Sequence, residues 1–251
     1  MQLGSVETRY SLNFSYMKDT EEAIHLESYG EYKQKEINLL SGLLSSNVGE
    51  CVVYDVGAGI GIHTLALSKM AKVVAFEHDQ EKLKCLSMNT KGKRAPNVKV
   101  IEKNLETTDR NDKDIPSLDG QLMQLPEPSL IRISGDSVKV LRGMTATMML
   151  IKPVIYIDIN NSTDISYQYS LLVERGYNMY WYSCVSYNEN NFKENRFDIT
   201  ENSYSMNMLA IHEDVLLVDG SIDLPRIDGP NDKWTRDRDD GNRESIKTES
   251  N

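Results

Sequence analysis

Apolar and polar positions alternate along this chain in two periods, and the periods exchange places in a regular order. From Glu31 onward, Ile37, Leu40 and Leu44 recur at i, i+3 and i+7, the spacing of an amphipathic helix. A short apolar run, Cys51–Val56, then reads as a buried strand, and Gly61–Met70 as a helix. The alternation continues with a strand at Val73–Glu77, a helix at Gln80–Asn89 and a strand at Val98–Glu102. A polar segment ends near Leu118-Asp119-Gly120. Leu130–Ile133 is the next expected strand, followed by a helix over Val138–Leu150 that stops before Pro153. Val154–Ile159 is a fifth strand, Tyr167–Glu174 a helix ended by Gly176, and Tyr177–Ser183 with Met206–Ile211 a last strand pair. Strand and helix in alternation predict an α/β fold: a mostly parallel, seven-stranded Rossmann-like sheet with helices on both faces and ligands at the carboxyl ends of its strands. The last two strands lack a clear helix between them, which suits an antiparallel hairpin.

The ends of the chain lack this pattern. Residues 1–19 read as an irregular N-terminal arm, 20–225 as the folded domain, and 226–251 as a charged tail. That tail has six basic and seven acidic side chains and only Ile227, Trp234 and Ile246 as sizeable apolar groups, too little to offset chain entropy, so disorder is expected.

The junction at Asp55-Val56-Gly57-Ala58-Gly59-Ile60-Gly61 carries the chemistry. It lies between a strand and a helix, where glycines let a ligand lie against the backbone and the helix end offers free N–H groups. Glu77 closes the following strand at the distance where a carboxylate meets ribose hydroxyls. Together these imply a nucleoside site. A dinucleotide pyrophosphate wants G-x-G-x-x-G and no neighbouring anion; here the third glycine, Gly61, comes one residue early and Asp55 stands two residues before Gly57. Such a carboxylate repels phosphates and suits the ammonium of S-adenosylmethionine. No phosphate-loop sequence G-x-x-x-x-G-K-[ST] occurs.

Composition narrows the partners. The 251 residues suffice for one full core, and 26% charged residues with a mean hydropathy of -0.47 describe a soluble chain. No basic start followed by an apolar block marks a secretory signal, and the apolar stretch Met144–Ile159 is interrupted by Lys152-Pro153, so no membrane partner is expected. Cys51, Cys85 and Cys184 are odd in number and lack metal spacing, which fits reduced thiols in a cytoplasmic compartment; the four histidines form no metal motif, so no metal site is expected. A net charge of -10 argues against a nucleic-acid partner.

Several segments resemble the FkbM-type S-adenosylmethionine-dependent methyltransferases. Asp55-Val56-Gly57-Ala58-Gly59-Ile60-Gly61-Ile62-His63-Thr64 is similar to the family's D-V-G-A-N-I-G-x-x-T, and Val74-Ala75-Phe76-Glu77 to its V-A-F-E, with Asn89 at a position where the family often has Asn. Ser117-Leu118-Asp119 resembles its T-L-D and Val140-Leu141-Arg142-Gly143 its V-L-K-G. Tyr29-Gly30-Glu31-Tyr32 with Glu36, Tyr187-Asn188 with Asn191-Phe192, and Ser205–Leu209 look like one branch of that family. The resemblance runs from about Tyr29 to Ile211. It implies a class I methyltransferase fold and methyl transfer to oxygen, on a sugar, glycan or small metabolite as acceptor. One departure is marked. The family's I-K-I-D-V-E-G-x-E after the fourth strand is here Ile131-Arg132-Ile133-Ser134-Gly135-Asp136-Ser137, which puts Ser134 or, in an ungapped alignment, Arg132 where the family has its first Asp.

The expected cofactor-binding residues are therefore Asp55, Gly57, Gly59, Gly61, Glu77, Asn104 (near the adenine edge) and, by the resemblance, Glu31. A hydroxyl acceptor must lose a proton, for which Asp136 and His63 are the candidate catalytic bases, each with a competing role as a helix cap. The altered acidic run keeps an alternative open, a nucleoside-binding protein impaired in turnover. A nicotinamide-linked reductase is disfavoured by Asp55 and the early Gly61.

Overall fold

The computed structural model describes residues 2–45, 49–105, 117–159, 165–201, 203–215 and 223–234. Strands β1 (Leu3–Val6) and β2 (Phe14–Met17) come first, then helices α1 (Glu21–Tyr29) and α2 (Gln34–Ser45). The alternating body follows: β3 (Val52–Val56), α3 (Ile62–Leu67), β4 (Lys72–Glu77), α4 (Gln80–Thr90), β5 (Val98–Glu102), β6 (Leu130–Ile133), α5 (Ser137–Arg142), α6 (Thr145–Leu150), β7 (Val154–Ile159), α7 (Ser166–Val173), β8 (Tyr177–Val185) and β9 (Tyr204–His212).

Seven strands form one sheet in the order β5-β4-β3-β6-β7-β9-β8. Those from β5 through β7 are parallel, whereas β9 runs antiparallel between β7 and β8. The chain steps outward from β3 to β5 and then returns to the other side of β3 as β6. The switch opens a crevice at the carboxyl ends of β3 and β6.

Period-two alternation sorts the strands onto two cores. Tyr54, Phe76, Ile131, Ile133 and Ile157 belong to one; Val53, Leu130, Tyr156 and Leu209 join Leu40 and Leu67 in the other. On that second face the alternation ends in a polar layer. Asp55 and Arg132 stand opposite each other two residues beyond Val53 and Leu130, and Asp158 and Asn207 stand opposite each other one same-face step further along, beyond Tyr156 and Leu209.

Three expectations are corrected. The N-terminal residues are no irregular arm: β1 and β2 form an antiparallel hairpin whose Phe14 is fully buried, and Asn89 of α4 clasps both the N–H and the C=O of Ser15. The helix expected over Val138–Leu150 is two, α5 and α6, because Gly143 ends the first and Asp119 accepts hydrogen bonds from the N–H groups of Ala146 and Thr147 at the start of the second. The tail is ordered in its first part. The C=O of Pro225 accepts from Trp181 N–H and the Ile227 N–H donates to Met179 C=O, laying this strap along the outer edge of β8 with Ile227 buried. Trp234 packs on Tyr204 at 5.0 Å between ring centroids. Residues 235–251 of the expected tail lie outside the described residues. No helix among the described residues is long and apolar enough to cross a membrane.

Candidate functional site

The glycine turn closes over the end of β3. The N–H groups of Gly57 and Ala58 both donate to Phe76 C=O, and Gly57, Gly59 and Gly61 all have positive φ. The glycines serve different ends. A Cβ on Gly57 would collide with the backbone carbonyl of Ser134, so this residue is bare because the β6–α5 connection crosses it. A Cβ on Gly59 would meet nothing within 4 Å, which leaves the backbone there open to a ligand. Gly61 leaves room for the Leu86 side chain of α4.

Glu77 is buried and pins the turn: one carboxylate oxygen accepts from Gly59 N–H at 2.8 Å, the other from the N–H groups of His78 and Asp79. Asp55 lies beneath. It is fully buried, and both its oxygens have partners within the protein, Thr64 Oγ1 at 2.6 Å and Arg132 Nη1 at 2.9 Å. The sequence reading paired this carboxylate with a ligand's ammonium; here a guanidinium on the adjacent strand takes that part.

Arg132 continues to Asp158, whose Oδ2 lies 2.6 Å from Nη2. Lys33 Nζ stands 3.5 Å from the same oxygen and 3.5 Å from Glu36 Oε1. Glu36 is fully buried, accepts from Ser205 Oγ at 2.7 Å and brings Oε2 to 3.7 Å from His63 Nε2, too far for a hydrogen bond. Burial raises the Glu36 pKa, but His63, Lys33 and Ser205 pull it down further, to about 2. Burial and the Arg132 charge lower the His63 pKa against the pull of Glu36 and Asp55. Burial works against the Arg132 charge, and Asp158, Asp55 and Glu36 more than restore it. Three carboxylates thus share two cations, leaving one surplus negative charge in a buried network.

Two cavities flank the turn. The larger, about 330 Å³, runs from Glu77 and His78 past Ser134 and Asp158 to Met206 and Asn207. The smaller, about 130 Å³, lies against Gly57–Ile60, His63 and Arg132. Gly57, Lys33, Lys82, Ser134 and Asp158 line both, so the two form one cleft.

The remaining expected residues stand elsewhere. Glu31 is buried in a knot of its own, bound by Arg9 Nε at 2.7 Å, Asn188 Nδ2 at 2.6 Å and the Phe192 N–H at 3.0 Å, and lines neither cavity. Asp136 caps α5, accepting from Lys139 N–H and pairing with Lys139 Nζ at 2.9 Å; it too lines neither cavity. Asn104 is half-buried just beyond β5. Among the described residues no cluster of His, Cys, Asp and Glu is arranged to hold a metal. Lys33 and Asp158 were missed. The signal available for Asp158 is a single charge at the end of the apolar run Val154–Ile157, the same signature as Asp55 after Val52–Tyr54.

No family model matches the chain, and no curated protein matches it. Solved structures do. A precorrin-6Y C5,15-methyltransferase from Geobacter metallireducens GS-15 has a TM-score of 0.52 at 18% identity, over 72% of this chain and 89% of that one. An S-adenosylmethionine-dependent O-methyltransferase from Thermotoga maritima has a TM-score of 0.53 at 12% identity, over 83% and 77%. A precorrin-8W decarboxylase from Methanobacterium thermoautotrophicum reaches 0.51 at 15% identity, over 70% and 89%. The fold is that of the class I methyltransferases.

Proposed function

We propose that this protein is an S-adenosylmethionine-dependent methyltransferase, of the FkbM type that its motifs resemble, and that it methylates a hydroxyl of a sugar, glycan or small metabolite. The observation that carries this reading is the surplus negative charge of the buried network beside a glycine turn with open backbone at Gly59. A cation fits such a cleft; a pyrophosphate does not.

When bound, S-adenosylmethionine would supply a methyl already activated on a sulfonium. The protein's work is mainly to orient and exclude water. Gly59 would let the nucleoside lie against the turn, and Glu77 at the tip of β4 would receive ribose hydroxyls, its Oε2 having one amide partner and a further lone pair. His63 lines the smaller cavity with Nε2 free of any hydrogen bond, so its imidazole is the group we assign to take a hydroxyl proton. Asp136, bound to its cap, is the weaker base candidate.

Calorimetric titration with S-adenosylmethionine tests the reading: saturable binding is expected, and absence of heat up to about millimolar ligand for folded protein overturns it. A second reading, a nucleoside-binding protein impaired in turnover, is favoured by Ser134 and by the capping role of Asp136. Transfer of labelled methyl to any hydroxyl acceptor in an extract, lost in His63→Ala, would exclude it.

A further inference from the structure

Four polar atoms at the cleft or in the network behind it lack a hydrogen-bond partner among the described residues. Asp158 Oδ1, His63 Nε2, Arg132 Nε and Glu36 Oε2 are all buried and make no hydrogen bond. His63 and Arg132 are more than nine-tenths buried and line the smaller cavity, and Asp158 lines both. Buried polar groups are rarely left so unless something else is meant to meet them.

Lys33 stands at the same place. Its ammonium is 3.5 Å from both Asp158 and Glu36, long for ion pairs, and its backbone has φ 52°, a left-handed conformation that a lysine adopts at some cost. Its side chain lines the two cavities of the cleft and a third of about 150 Å³ on the far side, beside His25, Cys184 and Tyr204. A cation held loosely between two carboxylates, in a wall shared by three cavities, is one that can be exchanged for another.

We propose that Asp158, and not Asp55, receives the ammonium of the ligand's amino-acid moiety, and that Lys33 holds that place until the ligand arrives. Asp55 is fully buried and lines neither cavity, and its oxygens are bonded to Thr64 and Arg132, so its part is to fix Arg132. Asp158 has an oxygen without a partner, at the junction of the two cavities. Displacing Lys33, which stands 3.5 Å from Oδ2 of the same carboxylate, vacates the cation's place there and keeps the charge of the network unchanged, one ammonium leaving as another enters.

This inference rests on the nucleoside reading above, and two probes separate them. S-adenosylhomocysteine carries the ammonium; methylthioadenosine has the same nucleoside and thioether without the amino acid. Wild type, Asp158→Asn and Lys33→Met are each titrated with both. Asp158→Asn is expected to weaken S-adenosylhomocysteine about ten-fold or more while methylthioadenosine binds as to wild type, which also shows that the variant is folded. Lys33→Met is expected to tighten S-adenosylhomocysteine several-fold. Equal weakening of both probes by Asp158→Asn, or of neither, overturns the assignment; unchanged or weaker S-adenosylhomocysteine binding by Lys33→Met overturns the placeholder role. Wild-type protein that binds neither probe overturns the nucleoside reading itself, and this proposal with it.

Discussion

At the scale of single residues, the site depends on Arg132. It is the one cation among the described residues that bridges Asp55, which is fully buried, and Asp158, whose side chain is 11% exposed at the cleft. Removing one member of such a group strands the others without water or counter-charge, which costs about 3–5 kcal/mol. Arg132→Ala should therefore lower the melting temperature by roughly 6–20 °C in a chain of this size, measured by thermal unfolding; a shift within a degree would mean that the network contributes nothing to stability. The glycines separate in the same way. Gly57→Ala should destabilise sharply, because the new methyl meets the Ser134 carbonyl, whereas Gly59→Ala has space and should cost only the left-handed backbone penalty of about 1–2 kcal/mol. Denaturant midpoints for the two variants check the order; equal midpoints would show that the β6–α5 connection simply moves aside.

At the scale of elements, what the sequence showed depended on how local the signal was. The strands β3, β4, β6 and β7 read as apolar runs because burial on both faces writes itself into consecutive positions, whereas the half-exposed edge strand β5 mixes apolar with charged residues; the boundaries of all five agree with the structure to within a residue. The glycine turn was equally legible. The break between α5 and α6 was not: it depends on Asp119, more than twenty residues upstream in sequence, reaching two amides at the start of α6. The N-terminal hairpin was missed for the same kind of reason. Phe14 and Ser15 are unremarkable as a sequence and become a core residue and a clasped backbone only against α4. The partner of Asp55 was hidden too, because Asp55 and Arg132 lie 77 residues apart and face each other only once β6 is known to lie beside β3. Asn89→Ala is the test at this scale. It leaves the Ser15 N–H and C=O and the Ile60 C=O short of a partner, and a loss of about 2–3 kcal/mol with early unfolding of the hairpin, seen as faster amide exchange at β2, is expected.

At the scale of the whole molecule, buried titratable groups set an acid limit. The unfolded His63 imidazole takes up a proton near pH 6.5 and the folded one resists it, because burial and Arg132 lower its pKa. His25 behaves alike, burial outweighing the pull of Glu21, Glu22 and Asp198. Their contribution is fully present above about pH 6.5 and is lost as the pH falls below it. Glu36 adds a second loss, between its unfolded value of 4.5 and about 2. The melting temperature should fall from pH 7 to pH 5, and His63→Gln should flatten that slope in part. A slope unchanged in both His63→Gln and His25→Gln would refute the account.

The strap from Pro225 to Ile227 has a consequence for the molecule's behaviour in company. Without it, the outer border of β8 would present a free carbonyl at Met179 and a free amide at Trp181 to any extended chain that came near. A protein shortened at residue 222 should therefore stick to itself, border to border, well below its unfolding temperature. Light scattering on the shortened protein checks this: a sample that stays monodisperse would show that two covered backbone groups do not guard the border.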